Sequence, residues 1–131
     1  MSDKALLQSI GEWVAARGDC FERAQELARV SSLLASGGGV SPERRTLKRM
    51  AWTTAKLAVE RAWVSLVGTC KSAPAESPSM LLKLVRLLVE ARQLSEAHDR
   101  VVVEEWHALM RQEELATVAV EATWKFVGGS T

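Results

Sequence analysis

Seven cations, Arg44, Arg45, Lys48, Arg49, Lys56, Arg61 and Lys71, lie between Ser41 and Lys71, and only Glu43 and Glu60 oppose them. That stretch carries +5 in a chain whose whole charge is +1, which leaves −4 on the remainder. Local clustering, and not net charge, sets the attraction for a polyanion, so the small total does not argue against a phosphate-rich partner. At about 100° per residue, Arg45, Lys48, Arg49, Trp52, Lys56 and Trp63 fall within one broad helical sector, so aromatic rings interleave the cations. Arg44, Arg45, Lys48, Arg49, Trp52, Lys56 and Arg61 form the candidate binding set. The competing reading of the same residues is an ordinary solvated helix face.

Catalytic chemistry has little to work with. Glu104-x-x-His107 has the spacing of di-iron bundles, but those sites need the motif twice plus carboxylates on facing helices, and one copy is present. Glu113 and Glu114 fit a solvated face. Cys20 and Cys70 have no second ligand at metal-binding spacing and are expected as reduced thiols. The Gly37-Gly38-Gly39 run is followed by no Gly-Lys-Ser/Thr and preceded by no strand pattern, so it suits a helical-hairpin loop better than a phosphate loop. Arg17-Gly18-Asp19 means little as an adhesion signal inside a helix. No catalytic residue, metal or cofactor is expected, and the chain is not expected to be an enzyme.

The elements that would position the cations are helical throughout. The chain has 131 residues, the size of one domain, and its 47% hydrophobic fraction is too high for a disordered chain. Three prolines, no tyrosine and few β-branched runs point to an all-α fold. Leu6, Ile10, Trp13, Ala24, Leu27, Val30 and Leu34, with Phe21 close by, give a helix over about 3–35, weakened at Gly11 and Gly18. Ser41 as N-cap and Pro42 in the first turn open a basic helix over about 42–67, ending at Gly68. Ser77-Pro78 repeats that opening, and a helical pattern runs over about 78–127 through Leu84, Leu88, Ala91, Leu94, His98, Val102, Trp106, Leu109, Ala116, Val120, Trp124 and Val127.

A single helix of that length would reach about 72 Å, more than a small monomer covers. Either the chain turns near 98–100 or the helix packs on a second copy. A helical hairpin plus this long C-terminal region, dimerising into a bundle, is the expected architecture. Met80 to Val89 is interrupted by Lys83 and Arg86 and is too short to span a membrane. The first residues, with no basic region before an apolar block, do not resemble a signal peptide, so a cytoplasmic location is expected.

The segment Ala55-Lys-Leu-Ala-Val-Glu-Arg-Ala-Trp-Val-Ser-Leu66 resembles the middle helix of the small B-two suppressors of RNA interference from nodaviruses, in the pattern A-K-L-x-V-x-R-x-x-x-S-L. Lys4-Ala-Leu-Leu-Gln8 and Arg44-Arg45-x-Leu47 echo the same family in the same order. The resemblance covers roughly the first half of the chain. It implies a homodimer of helical hairpins that lies along double-stranded RNA, contacts phosphates and 2′-hydroxyls without reading sequence, and shields duplexes from dicing and small-RNA loading in the host cytoplasm. The family's middle-helix arginine corresponds to Arg61, its A-K-L lysine to Lys56, and one upstream arginine to Arg45. Thr54 stands where the family has a basic residue. Arg61 also lies about 140° around the helix from Lys56, so one straight face does not hold both.

The long C-terminal region is a further departure and could extend the dimer or take a protein partner. Duplex RNA suits long helices better than DNA does, because no short recognition helix is available for a major groove. The alternative function is a non-catalytic helical assembly or adaptor subunit of a larger ribonucleoprotein or protein complex.

Overall fold

The computed structural model describes residues 4–74, 76–77, 79–97 and 103–127, with no account of the side chains at 95–97, 103–106 and 109. Four helices follow one another: α1 Lys4–Ala35, α2 Pro42–Ser72, α3 Met80–Ala97 and α4 Val103–Phe126. No strand occurs among the described residues, and no described helix is long and apolar enough to cross a membrane.

The helix ends follow from local chemistry. α1 stops in a Schellman turn: Gly37 has φ +75°, the Gly38 N–H donates to Leu33 O at 2.7 Å, and the Gly37 N–H donates to Leu34 O at 3.3 Å. An L side chain at Gly37 would be strained, which is why a glycine follows α1. Ser41 Oγ accepts the Arg44 N–H at 3.2 Å and caps α2 as its sequence position predicts. The cap of α3 is a correction. Ser79 Oγ accepts the Leu82 N–H at 3.2 Å, whereas Ser77 Oγ accepts from Ser79 N at 3.3 Å, two residues too early to cap the helix.

Two other expectations shift. Gly68 does not end α2, which continues to Ser72, because Leu66 and Cys70 on either side of it are buried and hold that turn. The region over 78–127 is two helices, α3 and α4, which pack on each other. The turn expected at 98–100, with His98 and Val102, lies outside the described residues.

The chain divides into two compact units, Met1–Gly11 with Leu66–Thr131, and Glu12–Ser65. In the first, Leu6 and Ile10 of α1, Leu66 and Cys70 of α2, Val85 and Leu88 of α3, and Val120 and Trp124 of α4 form a continuous apolar core. Specific polar contacts accompany it. Ser9 Oγ and Thr69 Oγ1 share a hydrogen bond of 2.8 Å, and Trp124 Nε1–H donates to Leu7 O at 3.2 Å. Arg86 Nη2 donates to Pro74 O at 2.9 Å and so ties the connection after α2 to α3. Leu94 and Val127, placed on the core stripe by their spacing, are exposed.

The second unit is thinner. Only Trp13, Val30, Ala55 and Trp63 are buried apolar residues there, and Phe21, expected near the core stripe, is exposed. Trp13 and Trp63 pack with ring centroids 5.7 Å apart, and the Arg17 guanidinium lies 4.8 Å from the Trp13 ring centre.

Gly11 and Gly18 both sit inside the unbroken α1, for different reasons. A Cβ at Gly11 would meet Trp124 Cζ2 at 3.3 Å, against a ring already held by its hydrogen bond to Leu7, whereas nothing lies within 4 Å at Gly18. Gly18→Ala should therefore stabilise the protein by about 0.5–1 kcal/mol, the ordinary helix gain. Gly11→Ala should gain none of it, because Trp124 must move. Chemical denaturation of both variants beside the native chain measures the difference.

Candidate nucleic-acid interface

α2 offers its cations along a single long element, but the second unit uses some of them internally. Lys48 Nζ donates to Glu26 Oε2 of α1 at 2.9 Å, and both side chains are half-buried. Arg45 Nε–H donates to Ser31 Oγ of α1 at 3.1 Å. Within α1, Arg23 pairs with Glu26 at 3.7 Å and with Asp19 at 3.5 Å, so Glu26 is shared between two cations. Arg45 and Lys48 therefore fasten α2 to α1.

The broad sector of cations and aromatics is centred on the face of α2 that meets α1. Trp63 is buried there against Trp13, and Trp52 is half-buried. Lys56 lies over the Trp52 ring at 4.0 Å from its centre, so one face of that indole is already covered by a cation of the same helix. Stacking of a base on that face would have to displace Lys56.

Arg44, Arg49, Lys56 and Arg61 are exposed. Arg44, Arg49 and Arg61 make no ion pair with any described residue. Arg49 and Lys56, seven residues apart, share one edge of α2. Arg61 points away from α1, on a stripe formed by Leu47, Met50, Leu57 and Val64, each more than half exposed. These residues follow the three-and-four spacing of a helix–helix seam, with Thr54 and Arg61 filling its remaining positions. Sequence reasoning singled out Arg61 but missed the apolar stripe around it, although Leu47-x-x-Met50 and Leu57-x-x-x-Arg61-x-x-Val64 carry that spacing openly.

No group of three or more His, Cys, Asp or Glu residues is placed to hold a metal ion among the described residues. His107 is exposed, and its companion Glu104 lies outside the described side chains. Burial pushes the Cys70 thiol up from its usual value, with the Arg86 guanidinium opposing the shift. Its thiolate is scarce at neutral pH, which suits a buried core residue rather than a nucleophile.

The hydrogen bond from Lys48, and then its charge, hold the Glu26 carboxyl below its ordinary 4.5. A carboxyl lowered in the folded state adds stability that is fully present above that ordinary value and lost as pH falls through the lowered one. Glu26→Gln should thus melt lower than the native chain at about pH 6, and the gap should close by about pH 3. Circular-dichroism melts across that range measure it, and a gap that stays constant with pH would remove the ion pair from the account.

No protein-family model, curated protein or solved structure matches this chain.

Proposed function

We propose that this protein binds duplex RNA without regard to sequence, as a homodimer, and shields it from dicing and from small-RNA loading in the cytoplasm. The observation that carries this reading is the position of Arg61. It stands exposed on the outward face of α2, on the same helix as exposed Arg44, Arg49 and Lys56. Arg44 to Arg61 covers about 26 Å of helix axis, a length over which phosphates on a duplex backbone are met by shape alone. The resemblance of residues 55–66 to the middle helix of the nodavirus suppressors supports the same ligand and the same arginine.

The second copy in this proposal covers the apolar stripe of Leu47, Met50, Leu57 and Val64, which water would otherwise wet on both molecules. Arg61 lies in that stripe. Burying an unpaired guanidinium is expensive, so its aliphatic stem packs beside Leu57 and Val64 while the charged head reaches the rim, where RNA phosphates neutralise it. A two-fold dimer presents two such heads. Arg45 and Lys48 set the hairpin's geometry and contribute field rather than direct contacts.

One observation favours the alternative of a helical assembly subunit: Leu115, Val118 and Phe126 form a second exposed apolar stripe on α4. A protein docked there would make the basic helix a solvated face.

Two variants separate these readings. Arg61→Gln should weaken binding to a random-sequence RNA duplex at least as much as Arg49→Ala with Lys56→Ala, although the double variant loses twice as many cations, because the two Arg61 heads are the ones set at the rim of the proposed dimer against the phosphates. Removing a cation that neutralises a phosphate should also flatten the dependence of log K on log salt by about one. Lys48→Ala should lower the melting temperature while leaving that slope close to native. Filter binding at several salt concentrations, with circular dichroism for folding, gives all three values. Unchanged affinity in both binding variants would leave α2 a solvated face.

A further inference from the structure

The face of α3 turned away from the core carries a pattern that no part of the RNA-binding reading uses. Leu81, Val85 and Leu88 enter the core, and α3 packs on α4. Met80, Leu87 and Leu94 do not: they are 63%, 57% and 41% exposed. They recur every seventh residue and so line one side of the helix. Lys83 and Glu90 lie between them, both exposed, and neither makes an ion pair with a described residue.

We propose that this face is a self-association seam that takes the same face of a second copy, antiparallel, about a two-fold axis at Leu87. The order of side chains is what makes it self-complementary. Reversing the helix about Leu87 sets Met80 against the partner's Leu94 and Leu87 against the partner's Leu87. Lys83 precedes the axis by four residues and Glu90 follows it by three. The two charges therefore come level across the seam to within about 1.5 Å of helix rise. On a helical wheel both lie on the same side of the stripe, and a two-fold axis perpendicular to the helices keeps them on the same side in the partner. Lys83 thus meets the partner's Glu90, and the pair is made twice, as an isologous interface requires.

The stripe on α4 fails this test. Reversing α4 about Val118 brings Glu114 beside the partner's Glu121, so a second copy there sets acid against acid. A partner without a matching Lys and Glu would also gain less from α3 than a second copy does.

A seam of one helix per protomer is at the small end of specific interfaces, so its dissociation constant should be on the order of tens of micromolar. It involves residues other than those of the stripe on α2 and holds whether or not the chain binds RNA.

The test uses the full chain without RNA. Sedimentation between about 1 and 100 µM should show a concentration-dependent association step, with the mean mass rising toward the upper end. Lys83→Glu alone, or Glu90→Lys alone, places like charges together twice and should weaken that step at least about tenfold. The double reversal Lys83→Glu with Glu90→Lys restores both pairs and should recover association to within about threefold. Leu87→Cys in a Cys20→Ser background should form an intermolecular disulfide under mild oxidation, and the single reversals should suppress it. Circular dichroism verifies that each variant keeps its helix. Single reversals without effect, a double reversal that fails to rescue, or no crosslink at position 87 would each overturn the proposal.

Discussion

The contact between Lys48 and Glu26, 2.9 Å across the α1–α2 hairpin, decides what the basic helix can offer. The unit formed by Glu12–Ser65 has only four buried apolar residues, so packing alone specifies the rotation of α2 weakly. Two polar contacts supply what packing lacks. Lys48 reaches Glu26, and Arg45 reaches Ser31 one helical turn nearer the loop. Once those are made, the face with Trp52 and Trp63 looks at α1, and the face with Leu57, Arg61 and Val64 looks out. The second copy and the RNA of the proposed function both depend on that rotation.

The positions that sequence reached and those it missed differ in kind. The Ser41 cap, the three-glycine turn and the helical character of all four segments rest on chemistry within a few residues, and such chemistry is visible in one dimension. Arg45 and Lys48 are different. A long cation that points at a partner helix and one that points at water occupy similar places on a wheel, because their flexible stems let the charge leave the surface at many angles. Only the register of α1 against α2 separates them, and register is a tertiary property. Gly11 shows the same limit. In sequence it reads as a weak point in a helix; beside the Trp124 ring it is the residue that lets the two pack.

Ser79 in place of Ser77 as the α3 cap, and the extension of α2 beyond Gly68, are smaller shifts of the same origin. Local propensity fixes an end to within a turn, and burial of Leu66 and Cys70 decides which turn. The apolar stripe on α2 was legible in principle. Its spacing is regular, but a stripe containing Arg61 and Thr54 does not announce itself as a seam until the opposite side of the helix is seen to be occupied.

The proposed function distinguishes one nucleic acid from the others. Under the proposed function, exposed cations along one long helix suit an A-form duplex recognised by shape, and they offer little to a major groove or to unstacked bases. The most direct measurement is a competition in which unlabelled RNA duplex, DNA duplex of the same sequence and single-stranded RNA each displace a labelled RNA duplex from the full chain at about 0.15 M salt. RNA duplexes of unrelated sequence should compete equally, and the DNA duplex and the single strand should compete at least about tenfold less well. Equal competition by all three, or failure of the chain to bind the labelled duplex, would contradict the proposed function.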